Sequence, residues 1–185
     1  GIDIDLTFSV EGEVVEPTIT ELFISEYGEG SANNKWIEIY NGTGSVVDLS
    51  IYSLALYSNG SPTAGTTVAL SGTLASGDVY VVYNAEANAT VIAAGDLSST
   101  VTYFNGDDAV ALLKNGTAID VFGVIGTDPG SAWTWDGGTT VDRTLVRKST
   151  VTGPTTTWNS AEWDVYATDT FTYVGSHTMT LSSSQ

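Results

Sequence analysis

The chain has 185 residues and carries 22 acidic against 5 basic side chains, a formal net charge of −17. That length fits one domain with short flanks, and the charge opposes autonomous binding to a phosphate backbone. Cysteine is absent and His177 is the sole histidine, which excludes disulfides, thiolate catalysis, cysteine zinc sites and any multi-histidine metal site.

Residues 1–17, "GIDIDLTFSVEGEVVEP", hold five acids and no base and end in Pro17. They read as a linker or the end of a preceding domain, and they lack the basic start and apolar centre of a signal peptide. A domain is expected over 18–180, with 181–185 as a tail. No stretch is apolar for long enough to span a membrane.

From "ELFISEY" onward the chain alternates short runs of Val, Ile, Leu and Tyr with polar turns, the spacing of an all-β sandwich or barrel. In "KWIEIY", period two sends Ile37 and Ile39 to the core and Trp36, Glu38 and Tyr40 to the opposite face. Strands are expected at 35–41, 52–58, 78–84, 108–114 and 117–123. The segment "ANATVIAAG", 87–95, is the one helical candidate. Asn-Gly occurs at 41–42, 59–60, 105–106 and 115–116, and supplies the positive φ values of tight turns. Asn115-Gly116 is expected to close a hairpin in which Val110, Leu112, Ile119 and Val121 share an inward face.

Several blocks in order carry a resemblance: "ISEYGEGSANNKWIEIYNGTGSVVDLSIYSLALYSNG", "LSGTLASGDVYVVYNA", "FNGDDAVALLKNGTAIDVFG", "DPGSAW", "TLVRKS" and "EWDVYATDTFTYVGSHT". Together, over about residues 19–178, they resemble the bacterial lamin-tail domain. The resemblance implies an immunoglobulin-like β-sandwich with at most one short helix. It also implies a non-catalytic accessory module of secreted or surface-associated bacterial proteins, joined to neighbouring catalytic domains. Trp36 departs from the family pattern, which has a small residue there, and Trp135 stands where no fixed aromatic is expected.

The candidate sites have competing readings. Glu26, Asn34, Lys35 and Glu38 are either a polar cluster or strand ends flanking the loop "GEGSANN", whose amides and carboxylates satisfy backbone groups. Lys35 and Glu38 fall on opposite strand faces. Asp107 and Asp108 also point to opposite faces, a poor acid/base pair. Their oxygens suit Ca2+, or they are a solvated turn. No other cofactor is implied. His177 lacks the G-x-S-x-G context of a hydrolase nucleophile and reads as a packed histidine.

Five tryptophans occur, four of them between 133 and 163. Trp133 and Trp163 read as core residues. Trp36 and Trp135, with Glu38 and Asp136, are the candidate ligand-binding residues of a sugar platform. Trp36 and Trp135 are expected to be more exposed than Trp133 and Trp163. Arg143, Arg147 and Lys148 read as partners for internal carboxylates or as a small anion site. The leading expectation is a non-enzymatic interaction module. It would tether neighbouring domains of its own polypeptide, or contact other surface proteins or polysaccharide. A carbohydrate-binding module and a calcium-stabilised domain are the alternatives.

Overall fold

A computed structural model describes residues 19–180. The expected connector at 1–17 and tail at 181–185 lie outside the described residues. The strands are β1 (Phe23–Glu29), β2 (Lys35–Tyr40), β3 (Val47–Asp48), β4 (Tyr52–Tyr57), β5 (Thr66–Ala69), β6 (Thr73–Leu74) and β7 (Val79–Tyr83). Helix α1 (Ala89–Ala94) follows, then β8 (Leu97–Ser98), β9 (Ala109–Lys114), β10 (Thr117–Phe122), β11 (Thr134–Trp135), β12 (Gly138–Thr139), β13 (Arg143–Arg147) and β14 (Trp163–Tyr166). Asn88 caps the helix by accepting a hydrogen bond from the Thr90 amide at 2.9 Å.

A six-stranded sheet, ordered β14-β13-β1-β2-β7-β8, packs on a four-stranded sheet ordered β10-β9-β4-β5. Every pairing in them is antiparallel except β7 with β8. Between the sheets lie Ile24, Tyr27, Ile37, Ile39 and Leu145 from the first, and Leu54, Leu56, Val110, Leu112 and Phe122 from the second. Tyr27 stacks on Phe122 with ring centroids 3.8 Å apart. The isoleucines of "KWIEIY" are therefore inward, as period two requires.

The β9–β10 hairpin turns at Asn115 and Gly116, whose φ values of 50° and 78° are those of a two-residue primed turn. The other Asn-Gly pairs do different work. Asn59 and Gly60 are left-handed inside the longer β4–β5 loop. Asn41 is buried and donates to the carbonyls of Ser45 and Leu74, both at 2.8 Å.

One expectation about β10 fails. The register with β9 slips between Ala118 and Asp120, so Asp120 faces Leu112, Val121 faces Ala111 and Phe122 faces Val110. This bulge at Ile119 reverses the alternation beyond it. Val121 is buried, but on the outer face with Ala111 and Leu113, while Asp120 and Phe122 take the inward positions and Ile119 is half-buried.

The cost of placing Asp120 inside is offset by a full set of partners. It accepts from the Ile24 amide at 2.7 Å, the Thr155 amide at 2.9 Å and Arg147 at 3.2 Å. Arg147 also donates to Glu162 at 2.6 Å and stacks 4.9 Å from the Trp163 ring centroid. Burial pushes the Asp120 carboxyl up, and the Arg147 charge and the backbone donors pull it back. Arg147 is thus an internal partner, one of the two readings of the basic cluster.

Candidate functional site

The outer face of the six-stranded sheet presents Trp36, Glu38 and Tyr40 from β2 beside Phe23, Glu26 and Gly28 from β1, in direct cross-strand register. Trp36 is fully buried, not exposed as expected. Gly28 lies opposite it, and a Cβ there would overlap the indole. Val81, Ala87 and Val91 pack beside Trp36, and Phe171 and Val174 cover it. The covering residues belong to the segment 167–180, which contains no strand and crosses this face after β14. Period two placed Trp36 on the correct face, and the cover comes from residues more than a hundred positions away, which no local pattern encodes.

Glu38 is buried too, so it is no surface ligand. Its carboxylate accepts from Ser25 Oγ at 2.7 Å and from the Gly175 amide at 2.7 Å. Burial raises its pKa to about 7 against these two donors. Glu26, its cross-strand neighbour, is fully buried and neither of its oxygens has a hydrogen-bond partner. Burial first, and then the Glu38 charge, push Glu26 up to about 9. The Trp36 indole N–H beside it pulls the other way but makes no hydrogen bond within normal geometry. With no donor on either oxygen and a second carboxyl opposite, Glu26 is held toward its neutral form.

The rest of the opening polar cluster is structural. Asn34 donates to Asp169 at 2.9 Å and accepts from the Asn88 amide at 2.8 Å, while Lys35 pairs with Glu29. These bonds fasten the β1–β2 loop to α1 and to the C-terminal segment.

Asp107 and Asp108 are buried, not a solvated turn. Asp108 accepts from the Asn59 amide at 2.8 Å, and the Asn105 amide, turned to donate, bridges the two carboxylates. Burial raises both pKa values. Among the described residues no three histidine or acidic side chains converge in a way that could hold a metal ion. The pair fixes the β4–β5 loop beside β9.

The four C-terminal tryptophans form a mutual cluster. Trp158 lies 6.4 Å from Trp133, 6.1 Å from Trp135 and 6.2 Å from Trp163, between ring centroids. Trp133 and Trp163 are buried, as expected. Trp135 is half-buried at the β11–β12 ribbon, with Asp136 exposed beside it. Trp135 packs against the inter-sheet core, whereas Trp36 belongs to a separate cluster under the covering segment. The four expected ligand residues do not assemble into one platform.

His177 lies edge-on to Phe23 and Tyr40, and burial holds its pKa down to about 4. A cleft of about 240 Å³ beside it is lined by Ser149, Ser176 and Asp164 among others. No hydrogen bond joins His177 to either serine or to Asp164, and its Nε2 has no partner. A nucleophile–base–acid relay is not assembled there.

A second cleft, open and about 400 Å³ in volume, lies on the outer side of the four-stranded sheet. Ala118, Val121, Val124, Ile125 and Trp158 line it, so its walls are mostly apolar. Sequence reading missed it because the bulge at Ile119 turns Val121 toward it.

The Lamin Tail Domain family matches residues 16–126, three fifths of the chain. The chain belongs to the lamin tail domain family. That family is a non-enzymatic one with an immunoglobulin-like fold, which agrees with the sandwich described above. No curated protein and no solved structure matches the chain. The match ends in the turn after β10, so β11–β14, the tryptophan cluster and the covering segment lie beyond the matched residues. Among the described residues no helix of this lamin tail domain is long and apolar enough to cross a membrane.

Proposed function

We propose that this lamin tail domain is an accessory interaction module of a secreted or surface-associated protein, and that it positions neighbouring domains of the same polypeptide. The apolar cleft between β10 and the 156–158 segment carries this reading, because Val124 beside it is 38% exposed and offers an apolar contact to a partner. The net charge of −17 keeps such a module soluble and unattached to nucleic acid.

Trp158 forms one wall of the cleft, so intrinsic fluorescence reports its occupancy. Titration with the separately produced adjoining domains should shift the emission, and Val124→Asp should abolish the shift. A full response in Val124→Asp sinks the cleft as the contact. Trp135, half-exposed beside the exposed Asp136, favours polysaccharide as the second reading. A polysaccharide-dependent shift lost in Trp135→Ala and retained in Val124→Asp would install that reading instead.

A further inference from the structure

Two buried carboxyls face each other under a segment of chain that has no secondary structure of its own. Glu26 and Glu38 are direct partners across the β1–β2 ladder, where opposing Cβ atoms stand about 4.5–5.5 Å apart. Two ionised carboxylates at that spacing, out of water and without a cation, repel strongly. Glu38 is equipped to hold charge, with Ser25 and Gly175 as donors. Glu26 is not, since neither oxygen has a partner. The pair is therefore built to keep one proton, on Glu26.

The groups that surround Glu26 do not supply a counter-charge. From β2 comes Glu38, from β14 Asp164 and Tyr166, and from the covering segment Tyr173 and His177. β13 presents Val146 there, β7 presents Val81 to Glu38, and α1 carries no titratable residue. Arg147 is engaged by Asp120 and Glu162, and its field reaches His177, where it opposes protonation.

The cover is hydrogen-bonded at both ends, and in its middle Phe171, Val174 and His177 pack on the sheet around one buried hydrogen bond. At one end Asp169 accepts from the Ser31 amide at 2.9 Å and from Asn34 at 2.9 Å; at the other the Thr180 amide donates to the Ser149 carbonyl at 2.7 Å. Between them the hydrogen bond from Gly175 to Glu38 ties residues 171–178 to the sheet.

We propose that residues 171–178 are a pH-operated cover, closed while the Glu26–Glu38 pair keeps a proton and lifted when the pair loses it, uncovering the Trp36–Tyr40 face. The lifted state admits water to both carboxylates, which then return to ordinary acidity. Between the two limits each proton lost on opening raises the opening constant about tenfold per pH unit. With Glu38 already ionised above about 7 and Glu26 protonated up to about 9, the window from pH 7 to 9 is a one-proton window.

Hydrogen exchange of the Gly175 amide, corrected for its intrinsic rate, tests this on the intact chain. Protection at Gly175 should fall about a hundredfold from pH 7 to pH 9 and should lie well below that of Ala111 in β9 at every pH, because the cover opens without unfolding the sandwich. In Glu26→Gln the Gly175 protection should be flat over the same window. Constant protection in the wild type, an equal fall in Glu26→Gln, or protection at Gly175 as high as at Ala111 would each overturn the proposal. Should Glu26→Gln not fold, the infrared carbonyl band of a protonated carboxylic acid serves on the wild type. It should persist at pH 7 and vanish by about pH 10, and its absence at pH 7 overturns the proposal as well.

Discussion

The two outer faces of this sandwich are built from opposite kinds of side chain. On the six-stranded sheet the outward positions are large or ionisable: Phe23, Glu26, Trp36, Glu38 and Tyr40. On the four-stranded sheet they are apolar and on average smaller, with Ala55 facing Ala111 and Ala118 facing Leu113 across the ladders. The first face is closed by a segment of chain. The second keeps an open apolar cleft at its edge. Large apolar side chains cannot be left in water without cost, so they recruit a cover; alanines expose little and leave room for something else to sit. A second core has grown under the covering segment on one side of the domain, and a smaller buried cluster bordered by an open cleft on the other.

The sharpest way to break this contrast is Trp36→Ala. If the covered face is a second core, the loss of that indole should cost about 3–5 kcal/mol in denaturant melts. A loss below about 1 kcal/mol would return Trp36 to the surface class. Asp120→Ala should cost a similar 3–5 kcal/mol, because Arg147 would stay buried beside an empty position. Thermal melts of that variant should fall well below those of Val121→Ala, its neighbour on the outer side.

pH should also separate the faces. Glu26 has a folded pKa raised to about 9 from an ordinary 4.5, so the folded state holds a proton that the unfolded state has released. Stability from this group is full below pH 4.5 and is lost as pH rises toward 9, at about 1.4 kcal/mol per pH unit. Chemical melts at pH 7 and pH 9 should show that slope in the wild type, and Glu26→Gln should remove it. His177 runs the other way: its folded pKa of about 4 means its contribution is present above pH 6.5 and fades as pH falls through 4. Gly28→Ala should cost about 1–3 kcal/mol by pushing Trp36 outward, read by the same melts. The smallest expected effect is on the open face, where Val124→Asp should change stability by less than about 0.5 kcal/mol while altering partner binding.

Much of the fold is legible in the chain, for physical reasons that are local. Ile37 and Ile39 alternate in a strand with nothing to interrupt it, and Asn115-Gly116 has the φ preferences of the turn it makes. The Asp120 inversion was not legible, because a bulge is decided by what the inverted residue finds across the molecule. Here it finds Ile24 and Arg147, which lie 96 and 27 residues away in the chain. The site was less legible still. Glu38 and Trp36 were correctly assigned to one face, yet their burial depends on Gly175 and Phe171, and nothing in "KWIEIY" announces a cover. Glu26 reads in the sequence as part of a polar cluster with Asn34, Lys35 and Glu38, and its isolation from donors appears only once β13 and the C-terminal segment surround it.

The position of β1 has a consequence for how this chain reaches its native state. β1 lies between β2, its neighbour in sequence, and β13, which is synthesised more than a hundred residues later. Until residues 143–147 have left the ribosome, one long edge of β1 is unpaired and the Asp120 carboxylate has no arginine. The nascent hairpin of β1 and β2 must therefore wait, carrying an open edge of the kind that invites mispairing. Sandwiches closed by such distant pairings fold slowly, on the scale of milliseconds to seconds. A chain cut after residue 126 would hold the whole span matched by the family and still lack the strand that locks the first one in place.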